Sequence, residues 1–247
     1  MSRKGKAASP LRVLRKGPVV TLELAAANAR LGPELHAALV AAVGEIDLDD
    51  EVRVVVLRST GRAFCCGGEP GGRADGIAAV AALRVPVLAL LHGSVLDEGL
   101  ELALACDLRI AAEGTRLGLT QLARGDLPSH GGTQRLPRIV GPACAARMLL
   151  LGEILPARRA AASGLVTEVV SREALRRRGG LRARELAARG PAAQRLAKEA
   201  LRSAADLPLA EGLRLEGDLY VLLQSTEDHA EGLASFRAKR PPRYQGR

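Results

Sequence analysis

Two continuous apolar runs, each feeding a glycine-rich turn, constrain this chain more than any other feature. Val52–Leu57 (VRVVVL) is rich in β-branched residues and too short for a stable helix. Pro86–His92 (PVLALLH) has the same character, and both read as buried strands. The first leads into Gly61–Gly72 (GRAFCCGGEPGG). The second leads into His92–Asp107 (HGSVLDEGLELALACD), which opens as a loop and becomes a helix over Glu98–Ala105. Beyond its first residue that helix is apolar except for Glu101. A lone carboxylate among Leu100, Leu102, Ala103, Leu104 and Ala105 is costly to bury ionised, so its pKa should rise. Such a group is a candidate for chemistry.

The remaining pattern sets the fold class. Leu11–Leu14 and Val19–Leu24 are short strand-like runs around the turn Lys16–Gly17–Pro18. Leu35, Leu39, Val40 and Val43 recur at helical spacing within Gly32–Val43. Ile77–Leu83 reads as a short helix or turn, Leu108–Ala111 as a strand, and Arg116–Gly125 as mostly irregular. Gly131–Val140 reads as a basic helical turn, and Ala143–Leu151 and Ala157–Ser163 as helices, before a strand over Leu165–Val170. Arg172–Ala204 is rich in Ala, Arg and Leu and reads as broken at Gly179–Gly180 and Gly190–Pro191; Leu209–Thr226 is amphipathic. Strands alternate with helices to about residue 170 and helices follow, which predicts an α/β core with a helical C-terminal region. The basic stretch 1–10 reads as a disordered tail, 11–190 as the core and 191–247 as the helical appendage.

Composition narrows the partners. A net charge of +9 favours anions: nucleic acid, a membrane surface or a phosphate-rich small molecule. Aromatics make up 2% of the chain, which leaves Phe64, Tyr220, Phe236 and Tyr244 as the residues able to stack on bases. Cys65, Cys66, Cys106 and Cys144 form no C-x-x-C pair, and the sequence reads without a signal peptide or long apolar run, so none is expected. A reduced, cytoplasmic setting is expected, with the cysteines as small core hydrophobes.

Taken in order, Val52–Glu69, Pro86–Asp107, Gly131–Gly141 (GGTQRLPRIVG), Gly164–Val170 (GLVTEVV) and Glu231–Arg247 resemble the crotonase superfamily, the enoyl-CoA hydratase/isomerase family. The resemblance implies a core of ββα units in two sheets and C-terminal helices that build a homotrimer, often a hexamer as a dimer of trimers. It implies an acyl-CoA thioester as substrate, with no metal and no further cofactor. The thioester oxygen would rest between two backbone N–H groups, an arrangement suited to charge developing on oxygen. Those donors fall on Gly68 and Glu98. The family usually has glycine at the second position, so the Glu98 side chain must turn away, be protonated or take part. Of the two glutamates used by the family's hydratases, the first matches Glu101. The second falls on Gln121, whose amide cannot exchange a proton usefully. Glu98, Asp126 and His130 are local groups that could compensate. CoA contacts fall on Arg62, Cys66, Gly68, Phe236 and Lys239. The segment Gly72–Leu83 is shorter than usual, which predicts a more open acyl pocket. Hydration of a 2-enoyl-CoA is the implied reaction, and double-bond isomerisation by a single carboxylate is the rival. An RNA-binding or non-catalytic acyl-CoA-binding member is the alternative of another class; nucleic acid is not the expected partner, and no membrane is.

Overall fold

The computed structural model describes residues 9–25, 30–68 and 75–247. Most of the expected basic tail, and Glu69–Ala74 of the first glycine-rich stretch and the shortened segment, lie outside the described residues.

The chain opens with β1 (Leu11–Lys16) and β2 (Val19–Leu24), an antiparallel hairpin turned at Gly17 in the left-handed region. Helix α1 (Pro33–Asp47) and strand β3 (Val54–Ser59) follow, then β4 (Cys65–Cys66) and α2 (Gly76–Ala82). Strands β5 (Val87–Leu91) and β6 (Ser94–Leu96) lead into α3 (Glu98–Leu104). Next come β7 (Leu108–Ala112), β8 (Arg116–Gly118), α4 (Gly132–Val140) and α5 (Pro142–Leu150). Strand β9 (Leu155–Pro156), α6 (Ala157–Ala162) and β10 (Glu168–Val170) end the strand-bearing part. Helices α7 (Leu175–Ala187), α8 (Pro191–Ser203), α9 (Leu209–Gln224) and α10 (Glu227–Arg237) complete the chain. The strands form two sheets, one in the order β1-β2-β3-β5-β7-β10 and one in the order β4-β6-β8-β9.

The larger sheet is parallel from β2 onward. It is covered on both faces, which is why its central strands are continuous apolar runs rather than alternating ones. One face packs Val55, Leu57, Val87 and Ala89 with Leu39 and Leu102 in the main core. The other packs Val54, Val56, Leu88, Leu90 and Ile110 against Leu175, Ala183 and Ala187 of α7. Helix α8 is tied to the sheet by buried Lys198, which donates to the Val85 carbonyl (2.6 Å) and the Asp107 carboxylate (2.5 Å). Among the described residues no helix is long and apolar enough to cross a membrane.

Two expectations need correction. Helix α7 runs unbroken through Gly179–Gly180. The reason is a close approach: a Cβ at Gly179 would lie 2.5 Å from both Leu90 methyls, so glycine lets the helix sit on the sheet. Arg116–Gly125 is not irregular, for it holds β8 and a 3-10 turn over Gln121–Arg124.

Candidate active site

The two glycine-flanked stretches meet through the smaller sheet. Cys66 on β4 pairs in parallel with Leu96 on β6, and the Gly67 N–H donates to the Leu96 carbonyl (3.0 Å). Just past these strands lie Gly67–Gly68 on one side and Asp97–Glu98 on the other. Asp97 holds φ 54°, ψ −123°, a conformation unfavourable for a side-chain-bearing residue. Its carboxylate over-determines that geometry by accepting from the Thr120 N–H (2.6 Å), the Thr120 hydroxyl (2.9 Å) and the Arg124 guanidinium (3.0 Å). The turn at Asp97 starts α3. Glycine is required at position 99, where a Cβ would lie 2.1 Å from the Cys65 carbonyl oxygen.

This packing sets Gly68 against Glu98. A Cβ on Gly68 would come within 2.9 Å of Glu98 Cδ. Among the described residues, neither the Gly68 N–H nor the Glu98 N–H donates to another protein group.

Glu101 lies one turn further along α3 with 0% exposure. Its Oε1 accepts the His130 N–H (2.7 Å) and the Gly132 N–H (2.8 Å). Gly131, at φ 95°, turns the chain so that both amides converge on it. Its Oε2 accepts from Gln121 Nε2 at 3.4 Å. The acid is therefore not unpaired, as its apolar neighbours had suggested; it has donors but no cation. Burial pushes its pKa up, and nearby Glu98 adds to the rise, while the two amides and His130 pull the other way.

Three buried polar atoms here have no hydrogen-bond partner among the described residues: Glu98 Oε2, Gln121 Oε1 and His130 Nδ1. His130 Nδ1 lies 3.3 Å from Asp75 Oδ1, within ion-pair range but outside hydrogen-bond geometry.

The structure thus gathers Gly68, Glu98, Glu101, Gln121 and His130, with Cys66 at the end of β4 beside them. Other candidates lie apart. Asp126 is exposed, its carboxylate accepting from the adjacent Leu127 N–H (2.8 Å). Arg62 and Lys239 are exposed, and Phe236 is 84% exposed on α10, which packs on α8 and α9. Both Cys65 and Cys66 thiols have pKa values raised by burial, which argues against a reactive thiolate.

Three residues not singled out in the sequence join the site. His36 lies on the buried face of α1, its Nδ1 accepting the Gly76 N–H (3.0 Å) and its ring 5.1 Å from that of His130. Burial, then His130, lowers its pKa. Its spacing of three and seven from Leu39 and Val43 was the available signal. Asp75 caps α2 by accepting the Ala78 N–H (2.9 Å). Arg30 donates to the Gly68 carbonyl (2.8 Å), which puts a cation beside the turn. A groove of about 1000 Å³ between α4 and α8 shares none of these residues.

Comparisons with known proteins identify the family. Residues 18–247 match the family model described as Enoyl-CoA hydratase/isomerase. The chain is 37% identical over 225 residues to the mitochondrial methylglutaconyl-CoA hydratase of Rattus norvegicus, covering 83% of this chain and 71% of that protein. It is 34% identical over 242 residues to the 2,3-dehydroadipyl-CoA hydratase of Escherichia coli K12, covering 93% and 95%. The crystal structure of an enoyl-CoA hydratase from Bacillus anthracis superposes with a TM-score of 0.92 at 34% identity, over 96% of this chain and 100% of that one. With the expected α/β sheets in place, this chain belongs to the enoyl-CoA hydratase/isomerase family.

Proposed function

We propose that this protein adds water across the double bond of a 2-enoyl-CoA, or runs the reverse dehydration. The observation that supports this most is the pair of uncommitted N–H groups at Gly68 and Glu98 beside a buried acid. The thioester oxygen would take both N–H groups and be stabilised as it gains charge. Glu101 would take the proton from the attacking water; with no cation to hold it ionised, its raised pKa suits a general base. The Gln121 amide donates to Glu101, which leaves Oε1 free to accept from that water. Because Glu101 has no exposed surface, the acyl group must displace whatever covers it.

Hydratase relatives named for methylglutaconyl-CoA and 2,3-dehydroadipyl-CoA support a CoA thioester as substrate. Arg30, beside Gly68, and exposed Arg62 are the cations on this chain that would meet CoA phosphates. Phe236 and Lys239 would serve a neighbouring subunit's CoA. Helices α9 and α10 expose Leu209, Leu213, Val221, Leu222 and Phe236, a surface suited to other copies of the chain in a trimer or a dimer of trimers. A cytoplasmic location fits the unpaired cysteines.

The second reading is double-bond isomerisation, favoured by the amide at Gln121, since one carboxylate can move a proton between carbons. Incubation with crotonyl-CoA and with a 3-enoyl-CoA separates the two. Hydration consumes crotonyl-CoA and yields the 3-hydroxyacyl-CoA; isomerisation converts only the 3-enoyl substrate. Failure to consume either would contradict both readings.

A further inference from the structure

We infer that the Glu98 side chain supplies the proton for the substrate's α carbon, the task for which Gln121 has no acid. The inference rests on the hydratase reading above and assigns a second group to that site. Glu98 and Glu101 are three residues apart on α3 and so lie on one face of it. The Glu98 carboxyl packs over Gly68: Cγ and Oε1 would each be 3.0 Å from a Cβ there, so absence of that Cβ makes its room. The carboxyl therefore sits at the residue whose N–H is offered to the thioester oxygen, two bonds from the α carbon. Glu98 Oε2 is buried without a partner among the described residues. A buried carboxylate oxygen left bare is destabilising and calls for a reason. A substrate hydrogen at the α carbon is one that the geometry offers.

Gln121 does not compete for this role, because its Nε2 is committed to Glu101 and its Oε1 can only accept. The titratable and charged groups around Glu98 are Glu101, Asp97, Cys65 on β4, His36 on α1 and Arg30 at the Gly68 carbonyl, with His130 and Asp75 beyond. The reaction needs one acid and one base, and the two carboxyls on one face of α3 are the two groups available for those tasks.

The steps balance without a further reactant. A water oxygen bonds the β carbon, its proton passes to the Glu101 carboxylate, and the π pair moves onto the thioester oxygen. The enolate then collapses, and the α carbon takes the proton of the Glu98 carboxylic acid. Exchange with solvent returns a proton to Glu98 and removes one from Glu101.

Deuterium wash-in from D2O at the α carbon of butyryl-CoA tests the assignment, since a saturated acyl group needs only enolisation. Glu98→Gln keeps the backbone N–H and the side-chain volume, and should lower wash-in about 100-fold. Adding Gln121→Glu to that variant should restore much of it, which a merely structural role for Glu98 would not allow. Glu101→Gln should retain wash-in while losing hydration. Wild-type wash-in by Glu98→Gln, or none by the unaltered protein, would overturn the assignment. Hydration that survives Glu101→Gln would instead overturn the reading of Glu101, leaving Glu98 standing.

Discussion

One acid lies in the first turn of α3 and another just past its end, and their surroundings are opposites. Asp107, just past the C-terminal end, accepts the Val87 N–H (2.7 Å) and pairs with Lys198. Burial lowers the Lys198 pKa, and Asp107 works to raise it, so each charge is met by its opposite. Arg109 nearby is closed off by backbone carbonyls instead, donating to those of Leu165, Ala103 and Cys106. Glu101, in the first turn, is fully buried yet meets two amides, an amide side chain and a second carboxylate. The ion pair at Asp107 fixes α8 to the sheet. The Glu101 site raises that acid's pKa and leaves three polar atoms without partners among the described residues. At these sites structural charge is closed by counter-charge or by carbonyls, and charge available for chemistry is not.

Lys198→Met should break the closed site. It leaves Asp107 partly buried without its cation and should lower stability by about 2–4 kcal/mol, read by denaturant unfolding. Turnover per folded molecule should stay near wild type, because Lys198 does not touch the Glu101 cluster. A catalytic loss with no loss of stability would erase the distinction. Gly68→Ala acts on the open site: the new methyl would crowd Glu98 Cδ, a flexible end that can move. It should lower kcat/KM roughly tenfold, with little change in Tm. Combining it with Glu98→Gly should relieve the crowding but not restore turnover.

The smallest effect is a pH dependence. Burial raises the Glu101 pKa above its value of 4.5 in the unfolded chain. Between 4.5 and the raised value the folded state binds more protons than the unfolded one, so this group's contribution to stability falls as pH rises through that window. Glu101→Gln removes the term. Its Tm should exceed wild type at neutral pH, and the difference should shrink as pH falls toward 4.5. A difference that grew on acidification would mean that the carboxylate is held ionised.

The large sheet was legible in sequence because burial on both faces writes itself as uninterrupted apolar runs, as in VRVVVL and PVLALL. Glu101 was legible as the one acid inside such a run. Its hydrogen-bond donors were not, because His130 and Gly132 are brought to it by a turn 29 residues away. Arg30 reaches Gly68 across 38 residues, and nothing local marks it. Strand β8 is three residues long and exists through its pairing with β6 and β9, too short to show a period of its own. Gly179–Gly180 reads locally as a helix break; only contact with Leu90 explains why the helix continues.

The central claim is that the Glu101 carboxylate takes the proton from water. The most direct measurement is kcat for crotonyl-CoA hydration by Glu101→Gln, with its Tm recorded beside it. The account predicts a fall of about 100- to 10,000-fold with Tm retained or raised. Hydration at the wild-type rate by a folded Glu101→Gln protein would contradict it.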